Sequence, residues 1–199
     1  MQSIILASSS PRRKQLLQWA EVPFEVVSKS ITEDYPSTLA VEDVPVYIAR
    51  KKAFEVNKFL DEAYHQQHAA KPILAADTIV VLGSQIIGKP IGRKDAIETL
   101  QLLSGKTHRV ITGVVINTGE HEVAFSDISF VEFHPLTTEQ IEFYVDKYEP
   151  YDKAGAYAIQ EWIGVIGIKS VQGDFYNVMG LPVSRVVQEL EKLNIDVVP

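Results

Sequence analysis

The sequence predicts an α/β fold in which helices flank a mixed β-sheet. Apolar, β-branched runs typical of strands alternate along the chain with segments whose apolar residues recur at helical spacing. The run "PILAADTIVVLG" is apolar at nearly every position, as in a strand buried on both faces. With 199 residues and 46% apolar content, the chain can form a sizeable core in one domain or in two closely joined lobes.

The first half of the chain begins with a short apolar strand over residues 3–7. Ser10 followed by Pro11 provides an N-cap and a proline at the first helical position, so a helix should run to about Trp19. "FEVVSKS" is typical of a second strand, and the acidic stretch "ITEDYPSTL" that follows is rich in turn residues. Helical spacing then extends from about residue 44 to 64, with Lys52 on the apolar stripe.

The second half alternates in the same way, after a polar connection over residues 65–72 that could mark a lobe boundary. The predicted elements are the buried strand near 72–83, a helix over 94–103 ended by Gly105, strands over 108–117 and 121–133, a helix through Lys147 opened by the capping box of Thr137 and Gln140, a strand near 163–171, and a last helix opened by Pro182. No internal repeat is present.

Charge and composition exclude several classes of protein. Nineteen basic against 26 acidic residues give a net charge of −7, which disfavours a sequence-independent nucleic-acid binder. There is no cysteine, and no apolar run approaches the roughly 20 residues that span a bilayer. At the N-terminus the charges follow the apolar stretch, whereas a signal peptide has them before it. We therefore expect a cytoplasmic protein with no membrane or nucleic-acid partner.

Two arginines stand where a helix begins. Arg12 and Arg13 in the first turn oppose the helix dipole, and each forgoes roughly 0.3–1 kcal/mol. A bound anion would resolve this conflict, because backbone N–H groups at a helix start also bind anions. Ser8, Ser9 and Ser10 are better explained as turn, anion-contact and capping residues than as nucleophiles, since no G-x-S-x-G elbow is present.

Asp77 is a carboxylate in the middle of the apolar run "ILAADTIVV". Burying an unpaired charge is expensive, so this side chain needs a partner. One interpretation is an aspartate at a strand end that bonds a loop. The other is a general base or metal ligand, with Thr78 beside it as a hydrogen-bonding group.

Further charged residues fit a site that binds a polyanion. Glu33 and Asp34 alone are typical of solvated loop carboxylates, but together with Asp77 they offer the oxygen ligands that Mg²⁺ or Mn²⁺ prefers. This hypothesis requires the residues to converge in space. Lys52 could either extend along the surface or bind phosphate, and Lys153 is a further cation.

Two apparent motifs are not interpreted as the sites that they resemble. "GSQIIGKP" matches the G-x-x-x-x-G-K part of a P-loop, but Pro90 replaces the required hydroxyl residue, so only a phosphate contact by Lys89 remains as a hypothesis. His65 and His68 lie in the polar connection and are not interpreted as metal ligands.

Six segments, in the same order along the chain, point to one family. "LASSSPRRKQLL", "AADTIVV", "GKP", "LQLLSGKTHRVITGV", "DKAGAYAIQ" and "YNVMGLP" together resemble the Maf family of nucleoside triphosphate pyrophosphatases. The resemblance runs from residue 4 to about residue 190. It implies a single Maf-like domain over residues 1–199, with two lobes around a central cleft and an elongated sheet similar to that of inosine triphosphatases.

The resemblance also implies an activity and a site. Such enzymes hydrolyse a nucleoside triphosphate between the α and β phosphates with a divalent cation, here Mg²⁺ or Mn²⁺ with Co²⁺ as a third candidate, and relatives are often homodimers. Asp77 would accept the proton of the attacking water, and Glu33 and Asp77 would hold the metal. The substrate-binding residues would be Ser9, Ser10, Arg12, Arg13, Lys52, Thr78, Lys89, Lys153 and Gln160.

Gln160 closes a motif that looks like the branch acting on dTTP and UTP. Arg12 and Thr78 match two further positions associated with base selectivity. The chain departs from the family at Ala158 and at "EWIG", where glycines are common, and this affects the substrate ranking more than the reaction class. The alternatives are a non-catalytic nucleotide-binding regulator of cell division or septum formation, and a metal-dependent phosphatase that removes the terminal phosphate.

Overall fold

The computed structural model describes residues 1–64 and 71–197 and confirms the mixed α/β architecture. His65 and His68, with most of the predicted connection, lie outside the described residues. In the described part, seven strands form one sheet in the order β2-β1-β3-β5-β6-β7, with β4 paired to β3. The strands are β1 (Ile4–Leu6), β2 (Phe24–Val26), β3 (Ile73–Leu82), β4 (Gln85–Ile87), β5 (Thr107–Asn117), β6 (Glu122–Phe133) and β7 (Ile168–Gln172).

The helices pack beside these strands and supply most of the remaining regular structure. They are α1 (Pro11–Trp19), α2 (Val44–Tyr64), α3 (Arg93–Leu103), α4 (Thr138–Tyr148), α5 (Trp162–Gly167), α6 (Phe175–Met179) and α7 (Val183–Lys192). Pairing is parallel for β1 with β2 and with β3, and antiparallel for β3 with β4 and for β6 with β7, so the sheet is mixed as predicted. None of the described helices has the length and apolar character needed to cross a membrane.

Strand β3 confirms the prediction of a strand buried on both faces. All of its residues are buried except Thr78 and Leu82, which are half-buried. Consecutive apolar residues cover both sides of the pleat, because neighbouring side chains on a strand point to opposite faces. Asp77 is therefore a charged residue inside a strand that is buried on both faces.

Contacts divide the chain into two compact units, each made of more than one segment. The chain first passes from one unit to the other between Asp77 and Thr78. The first unit contains residues 1–77, 112–127 and the C-terminal residues from Gly180 onward. Its core joins one face of α2 to strands β1, β3 and β5. This core cluster consists of Ile5, Ala7, Ala49, Ala53, Val56, Leu60, Ile73, Ala75 and Val115.

The second unit contains residues 78–111 and 128–179. Its helix α4 begins with the predicted capping box, in which Thr137 and Gln140 each bond the other's backbone N–H. Gly105 has a φ of 69°, which confirms the left-handed position predicted after α3.

The strand predicted near residues 163–171 is partly wrong. Residues 162–167 form helix α5, and strand β7 begins only at Ile168. The run "WIGVIG" is apolar without alternation, and such a run does not distinguish a strand from a buried helical turn. A Cβ on Gly164 would lie 1.8 Å from the carbonyl oxygen of Ile159, so glycine is what allows this turn to form so close to the preceding chain.

Three smaller differences concern short elements. The second strand ends at Val26, where its partner β1 also ends, so "VSKS" is not part of it. Strand β4 and helix α6 were not predicted. Strand β4 forms a hairpin with β3 through Gly83, whose φ is 62°, so the segment that imitates a P-loop is a β-hairpin followed by Lys89.

Candidate active site

Asp77 finds its partner on helix α2. Its Oδ1 lies 2.7 Å from Nζ of Lys52, and only 11% of the Asp77 side chain is exposed. The apolar stripe of α2 faces the core strands, and Lys52, on that stripe, reaches the carboxylate instead of extending along the surface. The interpretation of Asp77 as a strand-end residue bonding a loop is therefore wrong.

Glu33 joins the same ammonium from the loop before α2. Its Oε1 lies 2.8 Å from Nζ of Lys52, so two carboxylates share one cation. We call Glu33, Lys52 and Asp77 the carboxylate–lysine cluster. The convergence required of Glu33 and Asp77 is present within the first unit. Asp34, in contrast, bonds Lys51 and does not join the cluster.

The electrostatics of Asp77 balance burial against neighbouring cations. Burial raises the pKa of the Asp77 carboxyl above its ordinary value, and the charges of Lys52 and Arg13 offset part of that rise. The charge of Glu33 raises it further. A carboxylate whose pKa is moved toward neutrality is suited to accept a proton.

The two arginines at the start of α1 differ in burial. Arg13 is buried, and its Nε donates to the carbonyl oxygen of Gly180 at 2.8 Å while Nη1 donates to Oγ of Ser8 at 3.2 Å. Burial lowers the pKa of Arg13, and the charge of Asp77 opposes that change. Arg12 is half-buried at the helix start. Arg13 therefore adds positive charge near Asp77. The first turn of α1 contains no acidic residue that would neutralise it.

The serines before α1 have distinct roles. Ser10 is the N-cap, and its Oγ accepts from the backbone N–H of Arg13 at 3.5 Å, which confirms the capping prediction. Ser8 is buried and accepts from both the N–H of Ser10 and the side chain of Arg13. Ser9 is exposed at the same turn. Ser8 was not among the predicted binding residues, and its burial between two donors could not be derived from the sequence.

The other predicted binding residues belong to the second unit. Thr78 follows Asp77 directly on β3 and is half-buried, while Lys89 after β4 and Gln160 before α5 are exposed. Lys153 is buried, and its Nζ lies 2.8 Å from Oδ1 of Asp152 and 3.6 Å from Oε1 of Glu161. Lys153 thus contacts the carboxylate that opens the "DKAGAYAIQ" motif and the carboxylate that directly follows it.

Tyr144 and Glu161 complete this arrangement and were missed by the sequence analysis. The hydroxyl of the fully buried Tyr144 contacts Oε2 of Glu161 and accepts from the N–H of Ala158 at 3.2 Å. Glu161 begins "EWIG", one of the two places where the resemblance led us to expect glycine. That departure was noticeable in the sequence, but its link to Tyr144 depends on how α4 packs.

The carboxylate pair fits a divalent cation in its chemistry. Among residues 1–64 and 71–197, no three His, Asp or Glu side chains cluster as a cation site. Mg²⁺ is nevertheless commonly bound through one or two carboxylates, with water and substrate phosphates completing its shell. Glu33 and Asp77 supply those two carboxylates. Both lie within 2.8 Å of the ammonium of Lys52, so they are close enough to share one cation.

A separate cavity of about 550 Å³ lies between the loop before α2 and the outer side of that helix. It is lined by Ser30, Ile31, Thr32, Tyr47, Arg50, Lys51, Phe54 and Glu55. None of the predicted site residues lines it, so we do not place the reaction there.

Comparison with known proteins finds one family and several similar proteins. The family model described as "Maf-like protein" matches residues 3–193. A Bacteroides thetaiotaomicron protein named dTTP/UTP pyrophosphatase is 48% identical over 192 residues, which cover 96% of this chain and 95% of that protein. Proteins of the same name from Cytophaga hutchinsonii and Parabacteroides distasonis are 47% and 48% identical, covering 96% and 94% of this chain and 84% and 94% of the relatives.

Proposed function

The chain belongs to the Maf family, and on that premise we propose that it is a nucleoside triphosphate pyrophosphatase acting on dTTP and UTP. The relatives that bear this name match over nearly the whole chain, so the proposal does not depend on one motif. Modified pyrimidine triphosphates are further candidate substrates. The products are the nucleoside monophosphate and pyrophosphate.

The single observation that supports this proposal best is the carboxylate–lysine cluster. Asp77 stands in the motif that matches the family's A-D-T segment, and in the structure its carboxylate is buried beside Lys52, which also holds Glu33. A buried carboxylate retained in the middle of a strand is unfavourable for folding, so a role in the reaction explains why it is there.

The proposed reaction follows from these groups. A water oxygen forms a bond to the α phosphorus, and the bond from that phosphorus to the α–β bridging oxygen breaks. Asp77 takes the proton of the water, and the pyrophosphate leaves with the bridging oxygen. In such transfers the protein mainly positions groups and neutralises charge, so fixed cations near Asp77 are as important as the base.

The polyphosphate would be bound by the N-terminal end of α1. We propose that Ser9, Ser10, Arg12 and Arg13 bind it there, where backbone N–H groups and guanidinium groups meet. Lys52, Lys89 and Lys153 would stabilise the leaving pyrophosphate. Anion binding at this helix start would also remove the conflict between the two arginines and the helix dipole.

Glu33 and Asp77 would hold a divalent cation, Mg²⁺ or Mn²⁺ with Co²⁺ as a third candidate. When bound, such an ion neutralises phosphate charge and lowers the pKa of a bound water. The base would be selected by Arg12, Thr78 and Gln160. The amide of Gln160 offers both a donor and an acceptor to a pyrimidine edge, whereas an ionised glutamate only accepts.

Both compact units contain proposed site residues, so we propose that they act as parts of one Maf domain. A homodimer is a separate proposal, and size-exclusion chromatography with light scattering tests it directly.

Product analysis tests the proposed function. The purified protein is incubated with a panel of triphosphates and Mg²⁺, Mn²⁺ or Co²⁺, and the products are separated by anion exchange. We expect pyrophosphate and monophosphate, with dTTP and UTP as the best substrates. Release of orthophosphate with a diphosphate would instead indicate a phosphatase, and binding without turnover would indicate a regulator.

A further inference from the structure

Lys51, the residue before Lys52 on helix α2, contacts the loop on both sides of Glu33. Its Nζ donates to the carbonyl oxygen of Thr32 at 2.9 Å and to that of Asp34 at 3.2 Å, and it also contacts Oδ1 of Asp34. The two neighbouring lysines therefore bind the same short segment, Lys51 through its backbone and Lys52 through the side chain of Glu33.

The segment needs such an anchor because no strand or helix holds it. Residues 27–36 have no regular secondary structure, and Glu33 is exposed. The backbone of a strand is fixed by its ladder, but here the position of the Glu33 carboxylate depends on side-chain contacts. Oγ1 of Thr32 also donates to Oδ1 of Asp34 at 2.9 Å, so the residues on either side of Glu33 are bonded to each other as well as to Lys51.

We propose that Lys51 is a positioning residue for Glu33, fixing residues 32–34 so that the Glu33 carboxylate meets Lys52 and Asp77. The inference rests on the proposed function, in which Glu33 helps to hold the divalent cation. The hydrogen bonds of Lys51 go to Thr32 and Asp34, the residues on either side of Glu33, so Lys51 acts on the segment that carries the Glu33 carboxylate.

The charge pattern agrees with an anchor that has little effect on overall stability. The hydrogen bond from Lys51 holds the pKa of the Asp34 carboxyl below its ordinary value, with a smaller contribution from Thr32. Exposed pairs of this kind add little to the free energy of unfolding. Loss of Lys51 should therefore change local geometry and catalysis while leaving the fold intact.

Three variants test the proposal in the full chain. In Lys51→Met, kcat/KM for dTTP should fall roughly 10–100-fold, as is typical when a residue supporting a metal ligand is lost. Lys51→Arg, which keeps the charge and several donors, should recover most of that loss. Lys58→Met removes an exposed lysine from the same helix and should leave the activity unchanged.

A double-mutant cycle shows whether Lys51 acts through Glu33. If it does, Lys51→Met should lower kcat/KM in the unmodified protein but have little further effect when added to Glu33→Gln. An equal loss in both backgrounds, or no loss in Lys51→Met, would overturn the inference.

Hydrogen exchange supplies a measurement that does not depend on turnover. Amides of residues 32–35 should exchange faster in Lys51→Met than in Lys58→Met, while those of α2 stay unchanged. Equal exchange rates of these amides in both variants would contradict the proposal that Lys51 anchors this segment. If the unmodified protein releases no pyrophosphate from any triphosphate, the proposed function fails, and the exchange result alone decides whether Lys51 holds this segment.

Discussion

Asp77 combines two opposing influences on one carboxyl group. Its position in β3 removes water from it, which favours the neutral form, while Lys52 and Arg13 favour the ionised form. Neither influence alone would suit a general base, because full desolvation would keep the group protonated and full neutralisation would make it a weak base. The paired arrangement lets the carboxylate be charged and still accept a proton.

Replacing Asp77 by asparagine should abolish most turnover. Asp77→Asn keeps the size of the side chain and removes the proton acceptor, so we expect kcat to fall by roughly 10²–10⁴-fold, the usual contribution of a general base. The comparison is Asp61→Asn, an exposed position on α2 whose carboxylate accepts a hydrogen bond from Asn57. Steady-state kinetics and thermal melting measure both variants. Near-normal activity in Asp77→Asn would remove this residue from the mechanism.

Gln160 should control the ranking of nucleotides. In Gln160→Glu the side chain loses its donor and gains a charge. We therefore expect the ratio of kcat/KM for dTTP and UTP to kcat/KM for other triphosphates to change more than the maximal rate does. The measurement is kcat/KM for each triphosphate of the panel. An unchanged ranking would show that the base is recognised elsewhere.

His108 should make the fold sensitive to mild acid. It is 1% exposed, its Nε2 lies 2.7 Å from the hydroxyl of Tyr157, and no bond to its Nδ1 is found among the described residues. Burial lowers the pKa of His108 from 6.5 to about 4, so the unfolded chain binds a proton in this range that the folded chain does not. Stability should therefore fall by roughly 3 kcal/mol as the pH falls from 6.5 to 4.

Urea unfolding at several pH values, compared with His108→Phe, checks this prediction. The variant cannot titrate at this position, so its stability should decline less over the same range. Asp77 acts in the opposite direction, because a raised carboxyl pKa makes stability rise as the pH falls, but both proteins share that effect. Parallel pH profiles would mean that His108 is protonated in the folded state.

Some of these residues could be identified from the sequence and some could not. Asp77 and the arginine pair conflict with their local surroundings, so their unusual chemistry is visible without a structure. Lys51, Glu161 and Tyr144 do not, because a lysine or a tyrosine on a helix is ordinary in a sequence. Their roles arise from contacts between segments far apart in the chain, and such contacts leave no local pattern.

At the level of elements, strand β5 and the start of α2 meet with no space for a side chain. A Cβ on Gly113 would lie 2.2 Å from the backbone nitrogen of Val46 and 2.6 Å from the carbonyl oxygen of Pro45. These are backbone atoms, so the clash cannot be relieved by rotating a side chain. Glycine at this position lets α2 approach the sheet, and α2 holds both Lys51 and Lys52.

Gly113→Ala should therefore destabilise the protein and disturb the site. We expect a loss of about 1–3 kcal/mol, typical of overpacking in a core, together with lower activity because α2 must shift. Gly92→Ala is the matched control, since nothing lies within 4 Å of its added Cβ and its φ of 178° is ordinary extended backbone. Chemical unfolding and kinetics compare the two. Equal stabilities would show that α2 can move without penalty.

Several of the elements that were predicted correctly have chemical markers at their ends. Helices α1 and α4 begin with capping residues, and α3 is followed by a left-handed glycine. Helix α5 runs directly into strand β7, and the apolar residues of "WIGVIG" do not by themselves mark the change of structure at Ile168. Strand β4 is three residues long and is defined by its pairing with β3, which sequence periodicity does not reveal.

For the whole molecule, the family match spans both compact units and includes every predicted site residue. The net charge of −7 means that the protein as a whole repels a polyphosphate at long range. Binding of such a substrate must then depend on the local cations and on any bound metal. The same net charge led us to expect that the basic residues serve a local anion.

The shared ammonium of Lys52 has a consequence for handling the protein. Two facing carboxylates normally repel each other when their counter-ion is withdrawn, but here a tethered counter-ion is already in place. Exhaustive dialysis against a chelator should therefore leave the melting temperature unchanged, unlike small domains that unfold without their metal. A chelator-treated sample that melted earlier, and recovered on adding Mg²⁺, would show that Lys52 does not fill this role.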